Sequence, residues 1–213
     1  ISSSEKYTDT KSDFKYYILP QDRMANWRYG SSLSRFNLET GDIRPLTFSN
    51  KSVYLHDISE DGTKIVFSIS EPAITQRPFS TSSFFQYDFT SNKVDTIWLK
   101  NSFVNSVIYS PDAKQLLVLG APAAFNKLGE NIGKHKISNS YDVQSYLYDF
   151  GTKRVKAITK FFDPSISAAQ WNKADNNIYF RVSDRDYARV YKYNVQADKF
   201  ELLAIPADVV QQF

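Results

Sequence analysis

The feature that most constrains this chain is a repeat with a fixed internal phase. An Asn or Asp is followed by an apolar residue at +1, a second at +6 and a third at +9. The pattern appears four times without a gap: Asn37, Leu38, Ile43 and Leu46; Asp88, Phe89, Val94 and Ile97; Asp149, Phe150, Val155 and Ile158; Asn194, Val195, Phe200 and Leu203. Polar turn formers fill the space between +1 and +6, such as Glu39, Thr40, Gly41 and Asp42. Apolar flanks around a polar centre predict a β-hairpin. A second unit precedes three of these hairpins: a strand, a tight turn and another strand. The turns are Ser-Glu-Asp-Gly at 59–62, Ser-Pro-Asp-Ala at 110–113 and Asn-Lys-Ala-Asp at 172–175, and an apolar residue follows each turn's first residue at +6, namely Ile65, Leu116 and Ile178.

Together these make four antiparallel strands per repeat. The anchors at 37, 88, 149 and 194 stand 51, 61 and 45 residues apart, close to the roughly 40–50 residues of a β-propeller blade. A β-sandwich also alternates its strands, but it has no reason to keep the same offsets through four copies. The fold class is therefore all-β, an incomplete propeller of about four blades, since closed propellers usually have about four to eight. The expected division is an N-terminal tail at 1–13 and a partial blade at 14–48, with strands near 15–19, 33–38 and 43–48. Full blades follow at 49–99, at 100–160 with an inserted loop at 123–142, and at 161–205. Residues 206–213 begin a further strand or form a tail. An unclosed propeller exposes two sheet faces, which predicts self-association into a homo-oligomer.

Composition agrees. Aromatic residues make up 15% of the 213 residues, with 14 Tyr and 16 Phe against 7 Gly and 1 Met, and aromatics suit a pleated surface. Their alternate placement reads as core between blades rather than as base-stacking platforms. The net charge is only +3 and no Lys/Arg run exceeds two residues, so no nucleic-acid partner is expected. No stretch approaches the roughly 18 apolar residues of a membrane span. Without cysteine there is no disulfide, thiolate metal site or Cys nucleophile. The opening Ile-Ser-Ser-Ser, with neither an initiator Met nor a signal sequence, suggests a processed protein or an excised piece.

Chemistry is sparse. A serine hydrolase would carry G-x-S-x-G on a strand-to-helix turn, and no glycine begins one. His56 lies on a strand and reads as a packed or rim histidine, and His135 sits in a lysine-rich loop. Two distant histidines give no metal site and no triad base, and no cofactor motif is present. The stretch at 129–134, Gly-Glu-Asn-Ile-Gly-Lys, is one residue short of a phosphate loop and lacks its Ser/Thr. Asp184, Arg185 and Asp186 read as a charged hairpin tip, with cation coordination as the alternative. Three places remain as candidates. They are Arg28 beside Trp27, whose guanidinium offers paired, directional donors to a carbonyl or carboxylate; the insertion at 123–142; and Arg77, in a shorter loop at 71–78. Long propeller loops often line a binding mouth.

The Ser-Pro-Asp-Ala turn, the four-strand blade and the Asp-Phe-Gly-Thr-Lys hairpin at 149–153 resemble the WD40-like PD40 repeats of TolB-type proteins. They resemble still more the N-terminal propeller of prolyl-oligopeptidase (S9) family serine peptidases. Two stretches sharpen the second likeness: 120–129 followed by 141–149, similar to bacterial members of that family, and Trp27-Arg28, similar to the Trp-Arg pair of dipeptidyl-peptidase-IV-like enzymes. The resemblance implies that the natural protein continues into more blades and an α/β-hydrolase domain carrying a Ser–Asp–His triad. This chain would then cap that domain, gate peptide substrate and help anchor it through Arg28, Trp27 and Arg77, with nothing catalytic of its own. It also implies a periplasmic or secreted location. One departure stands out. Dipeptidyl-peptidase-IV-like enzymes place a helix with paired glutamates between the second and third blades, whereas residues 99–104 here are a bare connection. Either the amine-binding carboxylates come from elsewhere or the parent does not select dipeptides. The competing reading is a TolB-like propeller that docks another protein and is attached to no enzyme.

Overall fold

The computed structural model describes residues 2–6, 29–48, 51–75, 77–133 and 137–212. Fifteen strands form among these residues, grouped into one three-stranded and three four-stranded antiparallel sheets, each ordered as the chain runs. The first sheet holds β1 (Ser2–Lys6), β2 (Tyr29–Phe36) and β3 (Ile43–Pro45). The second holds β4 (Ser52–Ile58), β5 (Lys64–Pro72), β6 (Ser80–Asp88) and β7 (Lys93–Asn101). The third holds β8 (Val104–Tyr109), β9 (Gln115–Gly120), β10 (Gln144–Asp149) and β11 (Arg154–Ala157). The fourth holds β12 (Ser165–Trp171), β13 (Ile178–Asp184), β14 (Tyr187–Asn194) and β15 (Lys199–Leu202). This is the propeller-blade architecture that the repeat predicts.

The repeat's polar anchors turn out to be turn builders. Each accepts backbone N–H groups from inside its hairpin: Asn37 Oδ1 from Glu39, 2.9 Å; Asp88 Oδ1 from Thr90, 2.8 Å; Asp149 Oδ1 from Thr152, 2.7 Å; Asn194 Oδ1 from Ala197, 2.8 Å. Four residues after each anchor the backbone turns left-handed, at Gly41 (φ 75°), Asn92 (53°), Lys153 (55°) and Asp198 (54°). A side chain that mimics a backbone turn, followed by a left-handed residue, closes the hairpin at a fixed length. That fixed length keeps the repeat in phase.

The turns between first and second strands have their own construction. Ser59 Oγ donates to Asp61 Oδ1 (2.7 Å) and accepts from Lys64 N (2.9 Å); Ser110 Oγ does the same with Asp112 Oδ1 (2.8 Å) and Gln115 N (2.9 Å). Hydrogen bonds from Ser59 and Thr63 hold the Asp61 carboxyl down at about 2. The turn at 172–175 uses Asn172 and Asp175 in place of Ser and Asp, accepting from Ala174 N and Asn177 N.

The chain divides into two compact units: Ile1–His56 with Val66–Tyr87 and Asn92–Ser102, and Asp57–Ile65 with Asp88–Ser91 and Phe103–Phe213. In the first unit, Val53, Val66, Phe67 and Phe84 are buried, and Phe84 packs edge-on to Trp98 at 5.6 Å. In the second, Leu117, Leu119, Leu147 and Ile158 of the third sheet meet Ile166, Trp171, Ile178, Phe180, Val182 and Tyr193 around the fourth in one cluster. Ile178, Phe180 and Val182 alternate along β13, so the strand's period of two lays one face into this cluster. Phe162, in the connection between the two sheets, stacks on Phe200 at 4.3 Å and meets Tyr191 edge-on at 5.0 Å.

One expectation differs. Residues 2–6, assigned to a tail, form β1 and pair antiparallel with β2 from Ser2↔Leu33 to Lys6↔Tyr29. A Ser-Ser-Ser-Glu segment has no apolar alternation, so a strand recruited there by main-chain pairing is invisible to patterning. The strand expected near 15–19 lies outside the described residues. No helix among the described residues is long and apolar enough to cross a membrane.

Candidate functional site

In an antiparallel blade, the connections between strands one and two and between three and four leave at one end. The connection between strands two and three leaves at the other. Among the described residues, the connections of the first kind in the second, third and fourth sheets are short Ser-x-Asp and Asx turns. Of the second kind, the described connections run over 73–79 in the second sheet and 121–143 in the third, with only residues 185–186 in the fourth.

The largest such segment, residues 121–143 in the third sheet, is built onto its blade. Tyr146 Oη donates to the Ala121 carbonyl at 2.8 Å, and Phe125 meets the Tyr146 ring edge-on at 5.2 Å. Burial, with the charges of Asp142 and Glu130 beside it, pushes the Tyr146 hydroxyl pKa up, so it stays a protonated donor. The chain then makes a left-handed turn at Phe125, Asn126 and Lys127 (φ 52°, 57° and 67°). A run of non-glycine residues in this region costs about 1–2 kcal/mol each, which the packing of Phe125 and the burial of Ala124 help offset. Gly129 comes so close to the sheet that a Cβ there would lie 2.3 Å from Tyr146 Oη and 2.5 Å from Gln144 Oε1.

Further along, Asn131 Nδ2 donates to the Lys160 carbonyl (2.8 Å) and Ser138 Oγ to Glu130 Oε1 (2.9 Å). The segment is tied down again where Val143 N donates to Ser165 Oγ at 3.2 Å and Ile166 N to the Val143 carbonyl at 3.1 Å. Held by these pins, it presents Ile137 and Tyr141 almost fully to solvent, 96% and 95% exposed. Exposed apolar side chains on a segment anchored to its blade can contact a partner at little entropic cost.

Of the residues singled out from sequence, Trp27, Arg28 and His135 lie outside the described residues. Arg77 is exposed in the β5–β6 connection, where a cis peptide joins it to Pro78 and its guanidinium lies 5.7 Å from the Phe79 ring centre. It is presented by its own hairpin, which Ala73 N closes onto the Phe79 carbonyl at 2.8 Å. His56 is packed, its ring 5.1 Å from Phe84 and its Nε2 2.8 Å from Ser68 Oγ. Burial lowers its pKa to about 4, so at neutral pH it is an uncharged structural group. In the 184–187 hairpin tip, Asp184 pairs with Arg189 at 3.3 Å, and Arg189 lies 4.2 Å over the Tyr187 ring.

Sequence reasoning missed two long-range ties of the second unit. Asp57 Oδ2 accepts from Tyr109 N at 2.7 Å, and Lys173 Nζ meets Glu60 Oε1 at 2.7 Å across 113 residues of sequence. No local pattern signals either. They bring the turns at 59–62 and 172–175 to one end, and a cavity of about 220 Å³ lies between Glu60, Asp61, Pro111, Asp112 and Ala113. The carboxylates of Asp61 and Asp112 are already engaged by the turn serines. Among the described residues no group of three or more His, Cys, Asp or Glu is placed to hold a metal ion.

No family model and no curated protein sequence matches the chain. Solved structures do. TolB from Acinetobacter baumannii aligns over 84% of this chain and 39% of its own length, at 14% identity and TM-score 0.57. Oligogalacturonate lyase from Vibrio parahaemolyticus aligns over 80% and 47%, at 15% and 0.59. Acylaminoacyl peptidase from Pyrococcus horikoshii aligns over 82% and 28%, at 18% and 0.53. At such identities the likeness shows the fold, that of propeller blades. The chain spans less than half the length of each of these structures.

Proposed function

We propose that this chain is the non-catalytic propeller segment of an S9-family serine peptidase, which gates and helps anchor peptide substrate for a hydrolase domain outside it. The observation that carries the reading is the 121–143 segment, pinned to its blade by Tyr146, Asn131 and Val143 yet exposing Ile137 and Tyr141. It is shaped to meet something larger than a small molecule. Propeller blades aligned with a peptidase over 28% of that peptidase's length leave ample room in such a parent for a separate catalytic domain. Gating would act by exclusion, admitting short or unfolded peptides. Arg28 would hold a substrate carbonyl or carboxylate, Trp27 would pack beside it, and Arg77 would contribute from its own hairpin. Export to the periplasm or cell exterior fits this role.

The test is made in the parent protein. Its reading frame should encode G-x-S-x-G within a βα pattern downstream. Arg28→Ala should lower kcat/KM for peptide hydrolysis about tenfold or more with little change in Tm. Normal kinetics with a large loss of stability would refute the role of Arg28. The isolated chain should not cleave peptides, and turnover blocked by a serine-directed inhibitor would refute the reading as a whole. The second reading, a TolB-like protein-binding module without an enzyme, is favoured by the same exposed Ile137 and Tyr141 together with the alignment to TolB. It predicts a stop codon after a further blade or two.

A further inference from the structure

We propose that the outward face of the fourth sheet seats a fifth sheet, that Val209 begins the first strand of that sheet, and that an acidic side chain on it meets Arg181. The hydrogen bonds where one sheet hands over to the next place the strand. In the first sheet, Leu46 N donates to the Leu33 carbonyl at 2.8 Å, and Val53 N, at the start of β4, donates to Ser31 Oγ at 3.2 Å. In the third, Ile158 N donates to the Ser145 carbonyl at 3.0 Å, and Ile166 N, at the start of β12, donates to the Val143 carbonyl at 3.1 Å. The fourth sheet repeats both bonds. Leu203 N donates to the Val190 carbonyl at 3.0 Å, and Val210 N donates to the Ala188 carbonyl at 2.9 Å.

The acceptors stand in one phase. Leu33, Ser145 and Val190 lie four residues before the anchors Asn37, Asp149 and Asn194, and Ser31, Val143 and Ala188 lie six before them. Val210 thus takes the place of Val53 and Ile166, the second residues of β4 and β12. Spacing agrees. Val53, Val104 and Ile166 follow the last apolar residue of their repeats, Leu46, Ile97 and Ile158, by seven, seven and eight residues, and Val210 follows Leu203 by seven. Residues 203–208 are then the crossing from one sheet to the next, and the parallel bridge between Val209 and Ala188 is its landing point. The occupant of the face is the chain that follows Phe213 in the natural protein.

The face itself sets the chemistry of that sheet. Ile178, Phe180 and Val182 of β13 turn toward the third sheet, so Tyr179 and Arg181 between them turn outward. One outward row runs across the strands through Gln170, Tyr179, Lys192 and Glu201. The row of the same phase in the third sheet is Ile108, Leu117, Leu147 and Lys156, and its two leucines are core residues against the fourth sheet. Arg181 has the phase of Leu119, a third member of that core. Polar and charged groups therefore stand where the preceding junction is apolar. Lys192 is already paired with Glu201 at 2.7 Å, and Tyr179 Oη donates to Asp175 Oδ2 at 2.6 Å. Arg181 is held by neutral oxygens, its Nε donating to Ser167 Oγ at 2.9 Å and its Nη1 to the Gln211 carbonyl. A sheet laid over this guanidinium takes its charge out of water, a cost that a facing carboxylate offsets and an apolar side chain does not. The proposal does not rest on the peptidase reading, since it concerns a junction between blades and holds with or without a hydrolase domain.

The test has a sequence arm and a chemical arm. In the second, third and fourth sheets a Ser or Asn turn begins six residues after Val53, Val104 and Ile166, and Ile65, Leu116 and Ile178 stand twelve after them. The natural reading frame should accordingly place Ser, Asn or Asp third after Phe213 and an apolar residue ninth. Asp or Glu should stand eleventh or thirteenth, where the earlier sheets carry Phe67 and Ile69, Val118 and Gly120, and Phe180 and Val182. A frame without this phase overturns the strand, and a frame with neither acid overturns the contact with Arg181. The chemical arm uses Lys192→Cys, because the chain has no cysteine of its own. Maleimide should label this thiol about tenfold more slowly in the full-length natural protein than in the 213-residue chain. Arg181→Leu in the full-length protein should raise the labelling rate about threefold by loosening the junction. Equal rates in the two proteins, or a rate that Arg181→Leu leaves unchanged or lowers, would overturn the proposal. Gln170→Cys, in the same outward row, decides the matter if Lys192→Cys does not fold.

Discussion

Lowering the pH from 7 to 5 should destabilise this protein through one partly buried imidazole, that of His56. His56 packs against Phe84 and bonds Ser68, itself 3% exposed, and burial depresses its pKa from 6.5 to about 4. Because the folded pKa lies below the unfolded one, the unfolded chain binds the extra proton first. Stability is therefore complete above about pH 6.5 and falls as the pH drops toward 4, below which the loss levels off. A shift of this size corresponds to at most about 3 kcal/mol, of which about 2 kcal/mol falls between pH 7 and pH 5. Two measurements check it. Urea unfolding of the native chain and of His56→Gln at pH 7, 6 and 5 isolates the contribution, because glutamine can still bond Ser68 but does not titrate. The variant should be flatter by about 2 kcal/mol over that range. An NMR titration of the ring should independently give a midpoint near 4. A ring titrating near 6.5, or parallel pH profiles for the two proteins, would refute the burial argument.

Two further substitutions probe what holds the blades and the 121–143 segment. Gly129→Ala places a methyl against Tyr146 Oη and Gln144 Oε1 at under 2.6 Å and should cost about 1–3 kcal/mol by overpacking; its partial recovery in the double variant with Tyr146→Phe, read by thermal unfolding, would locate the clash. Phe180→Ala, at a fully buried position in the cluster between the third and fourth sheets, should lose about 3–5 kcal/mol. A loss below about 1 kcal/mol in denaturant unfolding would mean that this face is not the packed one.

Local units are legible in the order of residues: which residues form hairpins, how long each turn is, and which face of each strand is apolar. These are decided within a few residues. Asn37, Asp88, Asp149 and Asn194 bond N–H groups two or three positions on, so their spacing carries the geometry and can be read directly. The structure keeps every one of those hairpins. It also leaves only Ser102 and Phe103 between β7 and β8, the bare connection expected at 99–104.

Features that depend on distant partners come only with packing. Strand β1 has no apolar pattern and exists because β2 offers an edge. The 121–143 segment reads as a loop until Tyr146, Asn131 and Ser165 are seen to hold it in three places. Ala188 looks like any strand alanine until Asp208 and Val210 arrive from the far side of a hairpin. The pairing of Glu60 with Lys173 and of Asp57 with Tyr109 joins residues 113 and 52 positions apart. Such contacts arise from how finished blades pack, and a pattern of side-chain types along one chain holds no record of which surfaces will meet.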